Sequence, residues 1–505
     1  MGSFFKWVLG RRGMKSIDKC VAMMLGIAVG DAFGAGYEGM TPREIRGCYR
    51  ALTYRANEKN PGFHKAGQYT DDTQQSLAIA ECLFSRQPFF EDTVGASLLH
   101  AFKRDPRWGY SSATREALES ANNGQHLIRS SKFSKGNGAA MRSVPFGVLP
   151  TPEIVVTYAD TNASATHGSD QARISSMVIG LASHYFFHEI GPPAEVGEFC
   201  YQMLPDTKSV KKDCCFGAKG HALAAKDLKR RFAMGGIPPN GVITAMAALS
   251  LLAWKGENPD RLRGEAVLLG GDTDTVCSIA LGIAASRYGL DGPGVPPKYL
   301  NLGDALEDGP FGRNYIIEVA KKLATLLPIP VDRMKRENYS GKRQQMIVQG
   351  LDGLLDKVDP IYLGMIMKIL MDDVHYRGDE VILALDASGY IPGVCASLVT
   401  KLPFRATKKA LLSGEKITNV LAFREEGTPN PDIYAYNLPE GARVILVDDE
   451  IMTGLTIENA VNELRKNKIE VVAAVVPIEG TAYQARERLL KKRVSLFSHT
   501  KHNLT

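Results

Sequence analysis

The sequence predicts a multidomain protein, an all-α bundle followed by an α/β domain built on a parallel sheet. Three observations carry that expectation. At 505 residues the chain is too long for one ordinary hydrophobic core. From about Ile17 to Ala324 it is rich in Ala and Gly, with apolar residues at helical spacing and few alternating segments. Beyond about residue 345, short β-type runs alternate with helical ones. The intervening run 326-LLPIPVDRMKRENYSG-341 mixes prolines with charges, as domain boundaries do. The expected division is an extension over 1–16, a helical domain over 17–325, a linker over 326–344 and an α/β domain over 345–505.

In the helical part, Val276, Ile279, Ala280, Ile283, Ala284 and Tyr288 fall on one face of a helix. Loops are expected at 59–62, 191–193, 236–241 and 291–297, where Gly and Pro gather. In the α/β part, 380-EVILALD-386, 417-ITNVLAF-423, 443-RVILVDD-449 and 470-EVVAAVVPI-478 read as strands apolar on both faces, with a helix over 457–466.

Composition excludes several function classes. With 44% hydrophobic and 23% charged residues the chain is that of a globular protein. A net charge of +6 over 61 basic and 55 acidic residues argues for neither nucleic acid nor membrane as partner. Eight cysteines without a CxxC pair suit buried thiols of a reducing compartment rather than a zinc site or disulfide framework. In MGSFFKWVLGRRG the basic residues follow the apolar patch, an order wrong for a signal peptide, and no apolar run is long enough to span a bilayer. A cytoplasmic protein is expected.

Acidic residues concentrate in 26-GIAVGDAFGAGYE-38, 69-YTDDTQQSLAIAECL-83 and 270-GGDTDTVCSIALGIAA-285. In the last two, Thr and Asp stand where an apolar helix begins, so capping and dipole compensation would account for some of them. Capping needs one side chain, however, whereas Asp71 with Asp72 and Asp272 with Asp274 supply pairs, beside Thr70 and Thr275. Gathered carboxylates repel unless a cation neutralises them, and hard oxygen donors select Mg²⁺, Mn²⁺ or Ca²⁺ over zinc. Both alternatives stand on these residues alone.

The order GxxxGDxxGxxxE, YTDDT, 136-GNGAAMR-142, 166-THGSDQA-172 and GGDTDT resembles the ADP-ribosylglycohydrolase family over about 20–324. That resemblance implies an all-helical bundle holding two Mg²⁺ or Mn²⁺ ions, acting on an ADP-ribosylated protein or other ADP-ribosylated target. It implies metal ligands at Thr70, Asp71, Asp72, Asp272, Asp274 and Thr275, and catalytic carboxylates among Glu38, Asp71, Asp72 and Asp274. Gly136, Asn137 and Gly138 would bring backbone close to the ribose or diphosphate, and His167 would line the ADP-ribose site. Cleaving a glycosidic bond builds oxocarbenium character, for which a carboxylate-activated water is the natural acceptor.

In the second domain, 444-VILVDDEIMTGLT-456 is a strand ending in two acids, then a loop rich in hydroxyls and glycine, then a helix. Such parts suit a phosphorylated sugar at the carboxyl end of a parallel strand. The segment resembles the phosphoribosyl pyrophosphate (PRPP) motif of type I phosphoribosyltransferases, and about 345–490 follows their order of elements. By that resemblance Asp448 and Asp449 would bind ribose hydroxyls, and Thr453, Gly454 and Thr456 the 5′-phosphate, with Mg²⁺ accompanying the PRPP. The loop 385-LDASGYIPG-393, with Ser388 and Gly389, would take pyrophosphate, helped by Arg405, Lys408 and Lys409. The resemblance also implies self-association through this domain. Glu450 and the stretch 424-REEGTPNPDIYAYN-437 depart from the family pattern, which leaves a bifunctional enzyme and a hydrolase regulated by a ribose-phosphate sensor both open.

Overall fold

A computed structural model describes residues 12–50, 53–59, 64–85, 87–120, 134–205, 225–290, 306–327, 332–335, 345–348, 360–385, 388–414, 416–426 and 428–502. Most of the expected extension and linker, the loop at 291–297 and two residues of the 385–393 loop lie outside them. The chain divides into two compact units, Lys15–Leu327 and one that takes in Pro328–Thr505.

The first unit is helical. Five helices position its site: α1 (Arg12–Ala35), α2 (Asp71–Phe84), α3 (Asp170–Phe187), α4 (Gly241–Lys255) and α5 (Thr273–Tyr288). The apolar face expected on α5 is only part of its contact surface, because every residue from Thr273 to Ser286 is buried. Small side chains on the remaining faces allow it. On α1, Gly26, Gly30 and Gly34 recur every fourth residue and so align on one side. A Cβ at Gly30 would stand 2.4 Å from the Cys277 carbonyl oxygen, and one at Gly34 2.4 Å from that of Thr273. The two backbones therefore touch, and Thr273 Oγ1 fastens them by donating to Gly34 O at 2.8 Å. Among the described residues no helix is long and apolar enough to cross a membrane.

Among the described residues the second unit holds ten strands: β1 (Asp332–Lys335), β2 (Gln345–Val348), β3 (Val381–Ala384), β4 (Phe404–Ala406), β5 (Val420–Phe423), β6 (Ile433–Tyr436), β7 (Arg443–Val447), β8 (Glu450–Ile451), β9 (Glu470–Gly480) and β10 (Ser495–His502). The main sheet runs β10-β9-β7-β3-β4, with β8 also on β9, and all its pairings are parallel. Ile382, Ile445, Val447 and Val475 face one core, and Leu383, Val444, Leu446 and Val476 the other. Both faces are thus covered, which is why these strands read as continuous apolar runs.

One expected strand belongs elsewhere. β5 pairs antiparallel with β6 in a separate ribbon, and its burial alternates, with Leu421 and Phe423 buried but Val420 exposed. A strand with one wet face suits a ribbon rather than the middle of a covered sheet. β1 and β2 also form an antiparallel pair, with β1 inside the span expected as linker.

Buried Glu380 anchors the foot of the sheet. It accepts from the amides of Arg377 and Gly378 and from Arg443 Nη2 at 2.9 Å. Burial opposes its ionisation, but these donors outweigh burial and hold its carboxyl at about 2, against an ordinary value of 4.5. A depressed carboxyl stabilises the fold above its unfolded value, so the contribution is complete above pH 4.5 and is lost as pH falls towards about 2. Glu380→Gln is expected to cost about 2 kcal/mol at neutral pH by removing the charged acceptor of two amides and of one arm of Arg443, which keeps its ion pair with Glu470 at 2.6 Å. Amide exchange over Arg443–Val447 in the full chain should show that loss, and should show it shrinking below pH 4.5.

Candidate functional site

The close approach of α1 and α5 sets acid against acid. Asp31 lies between Gly30 and Gly34, and the turn after α1 is bonded to the turn before α5: Gly39 N donates to Gly271 O at 2.9 Å and Gly271 N to Met40 O at 2.8 Å. Gly270 and Gly271 have φ of +71° and +77°, a conformation that favours glycine and turns the chain sharply into Asp272. The loop expected at 236–241 joins them, since Asp272 N donates to Ile237 O at 2.9 Å. Glu38, Asp272 and Asp274 consequently each offer an oxygen, all within 4.8 Å of one another.

The start of α2 meets the same place. Thr70 is its N-cap, accepting from Asp72 N at 3.4 Å, so capping is real for this residue. Thr70 Oγ1 also donates to Asp31 Oδ1 at 2.8 Å, and Thr73 Oγ1 to Asp31 Oδ2 at 2.6 Å. Asp72 Oδ2 accepts from Thr275 Oγ1 at 3.3 Å, which ties α2 to α5 across two hundred residues of chain. Capping does not account for Asp272, which makes no side-chain cap bond and instead accepts from Asn137 Nδ2 at 2.5 Å.

Asp31, Asp71, Asp72, Asp272 and Asp274 are all buried and Glu38 is half-buried. Burial first, and then the charges of their neighbours, push Asp71, Asp72 and Asp274 well above the usual carboxylate range. Burial and the charge of Asp272 raise Glu38 to about 8. Two buried oxygens of the group, Glu38 Oε2 and Asp72 Oδ1, have no hydrogen-bond partner among the described residues. Leaving buried acceptors unpaired is costly unless something else satisfies them.

The glycine loop borders this group. Gly136 and Gly138 pack on the His167 ring, and a Cβ at Gly138 would lie 2.8 Å from its Cε1. Burial pushes the imidazole down to about 3, with the Arg142 charge adding to it, so the ring is neutral. All the amino-terminal residues singled out in the sequence thus converge. Asp31, Gln75, Gly109 and Arg142 also belong to the site and were not singled out. Its place in the motif GxxxGDxxGxxxE, among apolar and small residues of α1, was the available signal for Asp31.

In the second unit, Asp448 and Asp449 follow β7 at its carboxyl end, and burial with the neighbouring Asp449 pushes Asp448 well up. Gly389 fits against them: its Cβ would meet Val447 O at 2.9 Å and Asp448 Cα at 3.1 Å. Ser388 precedes it, half-buried. Gly454, at φ +75°, starts the helix Leu455–Lys466. The Glu426 carboxylate accepts from Thr453 Oγ1, and the Glu426 amide donates to Thr456 Oγ1 at 3.0 Å. Arg405 is exposed, with Nη1 3.5 Å from Tyr436 O, and exposed Lys408 bridges Tyr434 through its backbone.

The ADP-ribosylglycohydrolase profile matches residues 13–329, more than half of the chain. The chain belongs to the ADP-ribosylglycohydrolase family. The phosphoribosyl transferase domain profile matches residues 408–503, so this family member carries a fused second domain. ADP-ribosylhydrolase ARH3 of Xenopus tropicalis is 28% identical over 307 residues, covering 53% of this chain and 86% of that protein. A solved ADP-ribosylglycohydrolase-related protein complex is 26% identical, with a TM-score of 0.45, over 62% of this chain and 98% of its own. Adenine phosphoribosyltransferase of Rhodothermus marinus is 20% identical, with a TM-score of 0.28, over 34% of this chain and 94% of its own.

Proposed function

We propose that the amino-terminal domain hydrolyses the glycosidic bond joining ADP-ribose to a modified target, with divalent metal, and that the carboxyl-terminal domain binds PRPP with Mg²⁺. The observation that carries the first part is the six-carboxylate group with two unpaired buried oxygens, a donor set that suits Mg²⁺ or Mn²⁺. Thr70, Asp71, Asp72, Asp272, Asp274 and Thr275 would hold the ions, joined by Glu38. When bound, the metal supplies Lewis acidity and a template for the ribose.

The chain's own groups do the rest. Asn137 holds Asp272 in place, and Gln75 Nε2 donates to Asp71 Oδ2 at 2.9 Å. An oriented carboxylate among Glu38, Asp71, Asp72 and Asp274 would take a proton from the attacking water as oxocarbenium character grows. The Gly136–Gly138 backbone admits the diphosphate-ribose closely, with His167 as its wall. ARH3 homologues support ADP-ribosyl substrates as the class. Full-length protein given ADP-ribosylated arginine, serine and DNA substrates should release ADP-ribose from at least one of them with Mn²⁺ and from none after chelation. No release from any would sink this function.

For the second domain, phosphoribosyl transfer would make the protein bifunctional, with Asp448 and Asp449 on ribose, Thr453, Gly454 and Thr456 on phosphate, and Ser388, Gly389, Arg405 and Lys408 towards pyrophosphate. A sensing role is favoured by Glu426, whose carboxylate already takes the Thr453 hydroxyl that a phosphate would use. A phosphate entering there displaces a like charge. Glu426→Gln is expected to tighten ribose 5-phosphate binding about tenfold, the equivalent of about 1.4 kcal/mol of repulsion. Pyrophosphate release from PRPP and a nucleobase would establish transfer, whereas PRPP binding without release would establish sensing.

A further inference from the structure

Arg142 is a buried cation without a carboxylate partner among the described residues. It is 1% exposed, and its recorded hydrogen bonds all go to neutral acceptors. Nε donates to Asn162 Oδ1 at 2.6 Å, Nη1 to Gln75 Oε1 at 2.8 Å, and Nη2 to Asn162 O at 2.9 Å and Thr166 Oγ1 at 2.6 Å. Two of these acceptors lead directly to the site.

A guanidinium only donates, so it dictates how each neighbour must face. Gln75 must turn its oxygen to Arg142, which leaves its amide nitrogen to donate to Asp71 Oδ2 at 2.9 Å. Thr166 must use a lone pair for Arg142. Its own hydrogen then has one recorded acceptor among the described residues, His167 Nδ1 at 2.8 Å. An Nδ1 that accepts carries no proton, so the proton of the neutral ring sits on Nε2. That nitrogen has no protein partner among the described residues, and it lies at the glycine loop, where a Cβ on Gly138 would stand 3.1 Å from it and one on Gly136 3.5 Å.

We propose that Arg142 is a positioning residue for ADP-ribose: through Gln75 it aims a donor at Asp71, and through Thr166 it fixes His167 as the Nε2–H tautomer, which donates to an oxygen of the diphosphate-ribose at the Gly136–Gly138 loop. This rests on the hydrolase function proposed above. One guanidinium thereby coordinates both walls of the site, the carboxylate wall and the glycine-loop wall. The neutrality of the ring, enforced by burial, keeps Nδ1 available as acceptor across the working pH range.

The test uses full-length protein with ¹⁵N-labelled histidine near neutral pH, the His167 signals being assigned by their loss in His167→Gln. An unprotonated Nδ1 and a protonated Nε2 are expected before any ligand is added. Thr166→Val keeps the shape and removes the hydroxyl; it is expected to abolish the tautomer preference and to weaken ADP-ribose binding about tenfold. Thr166→Ser is expected to restore both. A protonated Nδ1 in the wild type overturns the proposal, as does a Thr166→Val variant that binds ADP-ribose like the wild type. Failure of the hydrolase function has a different signature: the wild type would release ADP-ribose from none of the modified substrates, while the resonances would still decide the tautomer.

Discussion

Asp272→Asn is expected to lower ADP-ribose release more than about 100-fold. Loss of a partner one step removed from a metal already costs up to about that much, and Asp272 stands within the acidic group itself. The substitution is nearly isosteric, and Asn137 Nδ2 still finds an oxygen at position 272. What disappears is one negative charge among six crowded carboxylates. The same change therefore relieves repulsion in metal-free protein, and its thermal midpoint should hold or rise. Wild-type protein at about 100 times its dissociation constant for Mn²⁺ should gain about 2.7 kcal/mol, and the variant should gain little. An Asp272→Asn protein that turns over normally and is still stabilised by Mn²⁺ would dismiss the assignment of this group to metal. A simple folding defect has the opposite signature, since both midpoints would fall.

Much of this arrangement is legible in the sequence because its motifs are contiguous. The parallel strands β3, β7 and β9 announce themselves as apolar runs, since both of their faces are covered. The acids at 71, 72, 272 and 274 stand out because they come in pairs, whereas a helix cap needs one side chain. What the sequence hides is pairing. β5 looks like its neighbours in composition, and only its partner β6 reveals the ribbon. Asp31 stands in the motif GxxxGDxxGxxxE, but that its glycines let α1 touch α5 shows only when the two helices are laid together. Arg142 and Gln75 are sixty-seven positions apart, and their hydrogen bond follows from packing rather than from any local pattern. Glu426 falls in a stretch that matches no motif, yet it reaches the Thr453 and Thr456 hydroxyls.

Gly109→Ala should damage turnover while leaving the fold nearly intact. Gly109 is exposed and has φ +112°, which an alanine adopts only under strain of about 1–2 kcal/mol. More decisive is where the methyl group would go, since it would stand 2.0 Å from Asp71 Oδ1 and 3.1 Å from Asp71 Cγ. Something has to move, and the loop is pinned on both sides. Before it, the Arg107 guanidinium lies 4.0 Å from the Tyr69 ring centroid and pairs with Asp105 and Glu307. After it, Tyr110 OH donates to Gln74 Oε1 at 2.7 Å. Trp108 O accepts from the Asp71 amide at 3.0 Å, so backbone and carboxylate cannot separate as a unit. The side chain of Asp71 must therefore rotate, pulling Oδ2 off Gln75 and breaking the arm that leads to Arg142. A displacement near 1 Å at a reacting group costs about 100-fold, and a loss of that size in kcat/KM is expected, with the thermal midpoint lowered by only a few degrees. Turnover within about threefold of wild type would mean that Asp71 tolerates reorientation and that its geometry is not what the chemistry depends on.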